Sequence, residues 1–259
     1  MTAALVTGAG KRLGRAMAVY LAGRGYDLAI HYGSSAEAAE ATAEEARALG
    51  VRAQAFRADL LDDAATRALI PRVNAALGTL GVLVNNASVF EYDTIASATP
   101  VNWDRHMGSN LRAPFWLTQA FAAQALPADR TGSEPVAQSV IVNMLDQRVL
   151  KPTPEFMTYS LAKAGLWALT RTTAQALAPD VRVNGIGPGP TVQGIRQSDA
   201  HFARQRAGTI LERGADAGDV TAALGYLLDA RSVTGQLICV DGGQHLGWQT
   251  PDILGVEPA

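Results

Sequence analysis

The chain has one cysteine, Cys239, and four scattered histidines in 259 residues. A single thiol excludes a disulfide framework, and no His or Cys pair stands at a metal-ligand spacing. Cys239 lies in the apolar run Leu237 to Val240 and reads as a small buried hydrophobe. Long apolar runs are missing, so no stretch has the length to span a bilayer. No targeting segment fits ahead of Ala3 to Val6, which already reads as a strand, and a cytoplasmic location is the expectation. A net charge of −2 gives no electrostatic basis for binding nucleic acid or an anionic membrane. Lysine is scarce: of 22 Lys and Arg residues, only Lys11, Lys151 and Lys163 are lysine. What is present is 48 % hydrophobic and 18 % charged, a balance suited to one well-buried enzyme domain over residues 1–259.

Strand-like runs at Ala3 to Val6, Asp27 to Tyr32, Val51 to Phe56, Val82 to Val84, Ser139 to Met144, Val181 to Ile186 and 236–240 alternate with helical patterns. The helices are expected up to about Gly23, then at 36–49, 62–77, Asn102 to Ala125 with a kink at Pro114, 155–178 and 215–229. Such alternation, joined by short turns, specifies parallel βαβ units and an α/β doubly wound sheet. Pro127 to Gln138 reads as a surface excursion. Residues 192–213, of mixed charge and containing Gly194 and Gly208, suit a mobile lid.

After the first strand comes Thr7-Gly8-Ala9-Gly10-Lys11-Arg12-Leu13-Gly14. Glycines there let the backbone approach a pyrophosphate, and the following helix supplies unpaired N–H groups. The spacing departs from G-x-G-x-x-G, so a plain tight turn is the alternative. The second strand runs into His31-Tyr32-Gly33-Ser34-Ser35, with no carboxylate before Glu37. NAD-binding folds place an acid there for the ribose 2′-hydroxyl. Its absence, with Lys11 and Arg12 nearby, favours a 2′-phosphate and therefore NADP. For His31 the alternative is a solvent-facing strand end. Asp59, followed by Leu60 at the end of the third strand, either meets an adenine amino group or caps the next helix.

Tyr159 and Lys163 are four apart and share one helix face. A phenol of pKa ~10 exchanges protons poorly at neutral pH, and an adjacent ammonium lowers it. An ordinary tyrosine beside a solvated lysine is the alternative, but a chain that defaults to arginine has kept lysine here. Asp146 follows the Ser139 to Met144 strand, so acid, phenol and ammonium are expected to converge on one cleft. Otherwise Asp146 caps a turn.

With this glycine loop, Asn85-Asn86-Ala87, Asn110, Tyr159, Lys163 and Pro188-Gly189 in matching order, the chain resembles the short-chain dehydrogenase/reductase family over essentially its whole length. The resemblance implies a Rossmann-type fold and a nicotinamide cofactor held along Gly8, Leu13, Leu60, Asn86, Ala87, Met144, Pro188, Gly189 and Thr191. By the same resemblance Tyr159 is the proton donor, Lys163 lowers its pKa and binds the nicotinamide ribose, and Asn110 anchors a proton-relay water. A homotetramer is also implied, pairing helices 102–125 and 155–178, with the tail 248–259 reaching a neighbour.

Three positions depart from the common family pattern: Arg12 and Ser88 replace Gly, and Asp146 replaces Ser. Together they are similar to pteridine reductases, as are T-G-A-x-K-R-L-G, H-Y-x-x-S, N-N-A-S-x-F, G-S-N-x-x-A-P and N-M-x-D. That similarity implies NADPH bound through Arg12, His31 and Ser35, with Ser34 where a second basic residue is common. It also implies a flat pterin ring on Phe90, beside Ser88, with Asp146 sharing the acid role of Tyr159. Ordinary core packing is the alternative for Phe90. A carboxylic acid kept protonated in a desolvated cleft supplies the proton that a ring nitrogen needs. Three functions stay open: a pteridine reductase, a carbonyl or alcohol oxidoreductase of the same fold, and a non-catalytic NADP-binding protein.

Overall fold

The computed structural model describes residues 2–193 and 197–250. Its strands are β1 (Ala3–Val6), β2 (Asp27–Tyr32), β3 (Ala53–Arg57), β4 (Leu80–Asn85), β5 (Ser139–Met144), β6 (Val181–Pro188) and β7 (Leu237–Val240). The helices are α1 (Arg12–Gly23), α2 (Ala36–Ala48), α3 (Asp63–Leu77), α4 (Pro100–Met107), α5 (Ala113–Gln124), α6 (Met157–Ala176), α7 (Asp199–Ala207) and α8 (Ala217–Asp229). The strands form one 7-stranded sheet in the order β3-β2-β1-β4-β5-β6-β7, and every pairing in it is parallel.

Side-chain alternation along each strand divides the core between two faces. In β1, Ala4 and Val6 pack with Met17, Leu21 and Leu224, on the face covered by α1, α2 and α8. Ala3 and Leu5 pack with Leu69, Leu83 and Phe121, on the face covered by α3, α5 and α6. Burial on both faces explains why the strands are almost continuously apolar. From β1 the chain winds outward to β3 and then returns to β4. Strand order reverses there, opening a crevice at the carboxyl ends of β1 and β4.

Several boundaries differ from expectation. β3 begins at Ala53, β4 begins at Leu80, and α6 begins at Met157 after Phe156, which has φ 55. Residues 102–125 are not one kinked helix, because a π-helical turn, Gly108–Arg112, separates α4 from α5. Pro114 has no N–H, so the Asn110 carbonyl loses its usual helical donor, and the wider turn accommodates the break. The 127–138 excursion is pinned by an antiparallel bridge between Asp129 and Val136. In the expected lid, α7 buries none of its residues. Gly194 and residues 251–259 of the expected tail lie outside the described residues. No helix among the described residues is long and apolar enough to cross a membrane.

Candidate active site

The crevice is lined first by the glycine-rich loop. Gly8 has φ 63, and a Cβ on it would sit 3.1 Å from the Ala87 Cα. A Cβ on Gly14 would meet the Gly8 carbonyl oxygen at 2.2 Å, so both positions exclude a side chain. Thr7 ties this loop to the end of β4: its hydroxyl oxygen accepts from the Asn86 and Ala87 N–H groups at 2.8 and 2.9 Å. The Asn86 amide donates to the Thr7 carbonyl at 2.8 Å. Arg12 has φ 54, which costs a non-glycine residue about 1–2 kcal/mol. Its guanidinium donates to the carbonyls of Val192 and Gln193, both at 2.9 Å, joining the loop to the start of the 192–213 segment.

His31 does not face a phosphate site, and it does not face solvent either. It is 2 % exposed, and both ring nitrogens are occupied. Nδ1 accepts from the Gly8 N–H at 3.0 Å, and Nε2 lies 3.1 Å from the Ala58 carbonyl. Burial pushes its pKa down to about 4, so the neutral ring braces the glycine loop. The polar groups around the loop suit a phosphate without it. Ser35 begins α2 with no side-chain capping bond, and Lys11 begins α1 likewise, with no acid in its first turn. Uncapped helix N-termini with nearby hydroxyls and cations suit an anion, and α1 does so better than α2, whose first turn carries Glu37. Asp59 does not cap α3. Asp62 does, accepting from the Ala64 and Ala65 N–H groups, while exposed Asp59 accepts from the Leu61 N–H at 2.9 Å beside buried Leu60.

Beyond the switch point, Asp146, Tyr159 and Lys163 converge as expected. The Tyr159 hydroxyl donates to Asp146 Oδ2 at 2.9 Å, and Asp146 Oδ1 accepts from the Arg148 N–H at 2.9 Å. Lys163 is turned toward the end of β5, donating to the Met144 carbonyl at 2.6 Å. Its Nζ lies 5.7 Å from the Tyr159 ring centroid. The lysine therefore does not draw the phenol down in this structure. Burial and the adjacent Asp146 push Tyr159 well above its usual value. Burial also raises the Asp146 carboxyl and lowers Lys163 to about 8. Both groups therefore hold a proton more tightly than they would in water.

The loop after β4 forms the other wall. Exposed Ser88 donates to the Val89 carbonyl at 3.3 Å. The Asn110 side chain is engaged elsewhere than at a water: its amide donates to the Val89 carbonyl and its oxygen accepts from the Val89 N–H, each at 2.8 Å. It clamps the loop between β4 and α4. Phe90 is 53 % exposed, which sets aside ordinary core packing. It stacks on Phe156 with centroids 4.3 Å apart and 8° between planes, and meets the Tyr159 ring edge-on at 4.7 Å. Tyr92 closes on Phe156 at 5.2 Å, and the Arg148 guanidinium lies 4.8 Å over the Phe156 ring.

Phe156, Tyr92 and Arg148 were missed in the sequence. Phe156 gave no helical signal of its own, because it precedes α6 with a left-handed backbone, φ 55. On the remaining side, Gly189 donates to the Val240 carbonyl at 3.0 Å. A Cβ on Gly189 would lie 2.6 Å from Asp241 Cβ. The Thr191 hydroxyl then donates to the Gly189 carbonyl at 3.1 Å, fixing the turn after Pro188.

Cys239, Asp241 and His245 hold ligand-type atoms within 4.8 Å of one another. Asp241 is already filled by the Gly243 N–H and by the main-chain and ring N–H groups of His245. Burial and two acids push the Cys239 thiol up to about 11. A cation needs a thiolate and an open carboxylate, so these residues build a turn.

Comparison with known proteins agrees with this layout. The family model for short chain dehydrogenases matches residues 2–203. The 3-oxoacyl-[acyl-carrier-protein] reductase FabG of Staphylococcus aureus is 32% identical over 248 residues, covering 94% of this chain and 98% of that protein. Among solved structures, FolM alternative dihydrofolate reductase 1 from Brucella suis, in complex with NADP, is 40% identical with a TM-score of 0.90, over 97% of this chain and 98% of that one. Its counterpart from Brucella canis, also complexed with NADP, is 39% identical with a TM-score of 0.88, over 98% of both chains. The chain therefore belongs to the short chain dehydrogenase family and is an oxidoreductase.

Proposed function

We propose that this protein is an NADPH-dependent reductase of a pterin or dihydrofolate-type ring. The observation that carries the reading is the part-buried Asp146–Tyr159 pair, bonded at 2.9 Å, in which burial raises the proton affinity of both groups. Bound NADPH supplies a hydride. The chain's residues hold the cofactor, the ring and the proton. The bare N-termini of α1 and α2, with Lys11, Arg12, Ser34 and Ser35, favour a 2′-phosphate; Asn86, Pro188 and Thr191 fix the walls nearer the nicotinamide. The exposed face of Phe90, backed by Phe156, suits a flat heteroaromatic ring, and Ser88 offers a hydroxyl at its edge. Asp146 and Tyr159 stand where a ring nitrogen receives its proton, and Asp146 is the group that distinguishes this site from one built for a carbonyl oxygen.

A carbonyl reductase is the second reading, favoured by the 32% identity to FabG. The discriminating test is NADPH consumption with dihydrobiopterin and dihydrofolate beside 3-oxoacyl esters and simple ketones, with NADH controls. Turnover confined to pterins is the expected result; turnover confined to carbonyl compounds overturns the proposal. We further propose a cytoplasmic homotetramer built from one such domain per chain, with 192–213 acting as the lid.

A further inference from the structure

We propose that a buried hydrogen-bond chain, His106–Thr158–Asp93, positions Tyr159 against the Phe90 loop, with Thr158 as its central link. This rests on Tyr159 donating a proton as described above. The three residues come from three segments: Asp93 from the loop after β4, His106 from α4, and Thr158 from the first turn of α6, next to Tyr159. They are 1 %, 0 % and 3 % exposed.

The direction of the chain is fixed by chemistry. The Glu91 N–H donates to His106 Nε2 at 3.1 Å. A neutral ring whose Nε2 accepts carries its proton on Nδ1, and that nitrogen faces Thr158 Oγ1 at 2.6 Å. The Thr158 hydroxyl then gives its own proton to Asp93 Oδ2. The other Asp93 oxygen accepts from the Thr158 N–H at 3.2 Å, and the Asp93 carbonyl accepts from the Met157 N–H at 3.3 Å.

α6 lacks a cap of its own: Phe156 occupies that position with no side-chain bond. Asp93, distant in sequence, satisfies two of the first-turn N–H groups instead and places an acid at the helix N-terminus. The same chain fixes Glu91, next to Phe90, through His106. The His106 ring also meets the Tyr159 ring edge-on, with centroids 6.0 Å apart. Loop, α4 and catalytic helix are thereby held in one register.

The chain also makes a demand on charge. Protonating His106 would put a proton on Nε2 where the Glu91 N–H already points, and donor would face donor. Glu91, Asp93, Arg105 and Tyr159 are the ionisable groups around the ring; Asp93 and Glu91 favour the charged form, while Arg105 and, above all, burial oppose it.

The test uses the full chain with Thr158→Val, which removes both hydroxyl bonds at nearly constant volume, and Thr158→Ser, which keeps them. Valine is expected to lower kcat for pterin by about tenfold or more, the worth of one misplaced hydrogen bond, with NADPH affinity within about twofold and most of the rate restored by serine. Nitrogen NMR of the wild-type ring is expected to show His106 protonated on Nδ1. A valine variant with kcat within about twofold of wild type, or a wild-type His106 protonated on Nε2, overturns the proposal. Should valine prevent folding, Asp93→Asn and the tautomer measurement decide it. Should the wild type turn over no pterin, the functional reading fails separately. The Tyr159 Cζ resonance then reports on positioning: a shift in Thr158→Val supports the link, and an unmoved resonance overturns it.

Discussion

At the scale of single residues, the site is governed by burial of ionisable groups. His31 makes this measurable. Its unfolded ring takes a proton near pH 6.5, but the folded ring resists until about pH 4. Over that window the unfolded state binds more protons, so stability is fully present above pH 6.5 and is lost as pH falls toward 4. Urea unfolding at pH 7 and pH 5 is expected to differ by about 2 kcal/mol from this residue alone. His31→Gln starts from a lower stability and loses correspondingly less; parallel losses in the two proteins would show that His31 is not a buried neutral brace. The brace could not be read from sequence, because its partners Gly8 and Ala58 are distant in the chain and meet His31 only across the sheet edge. Asp146, Tyr159 and Lys163 were legible by contrast, since helix periodicity and a preceding strand place them. What their spacing could not reveal was that Lys163 bonds the Met144 carbonyl, leaving burial and Asp146 to raise the phenol's proton affinity.

At the scale of elements, the π-helical turn Gly108–Arg112 matters most. A proline inside an apolar helical pattern reads as a kink. The structure instead spreads the missing hydrogen bond over a widened turn and thereby aims the Asn110 side chain at Val89. Pro114→Ala restores a donor for the Asn110 carbonyl and lets a regular helix run through. The expected result is a drop in kcat/KM of roughly tenfold, since small displacements of positioning groups are costly, with little loss of thermal stability. Steady-state kinetics beside a melting curve checks this, and unchanged kinetics would remove the turn from the functional account. The strand pattern needed less context. With both sheet faces covered, β1, β4 and β5 are mostly apolar, which is why their order along the chain was readable while β3 and β4 still slipped at their N-terminal ends, where polar or glycine residues blur the pattern.

Across the whole molecule, one parallel sheet brings residues from β1, β4, β5 and β6 to a common edge, so the motifs scattered along the chain become a single cleft. The outer faces of α4, α5 and α6 carry Val101, Trp103, Phe115 and Leu161, which are 66%, 47%, 43% and 45% exposed. Apolar groups of this size on neighbouring helices suit subunit contacts, and sedimentation is expected to give a particle of four 27.2 kDa chains; a monomer at micromolar concentration would refute the tetramer. The central claim is narrower, that the family scaffold has been turned toward a ring nitrogen by Asp146. Its most direct test is the rate of NADPH-dependent pterin reduction by Asp146→Ser beside wild type, with a 3-oxoacyl ester as the second substrate. Serine is expected to lower pterin turnover by about a hundredfold or more, the usual worth of a positioned acid, without impairing any carbonyl reduction. Pterin turnover that survives the substitution, or a wild type that reduces only the 3-oxoacyl ester, would contradict it.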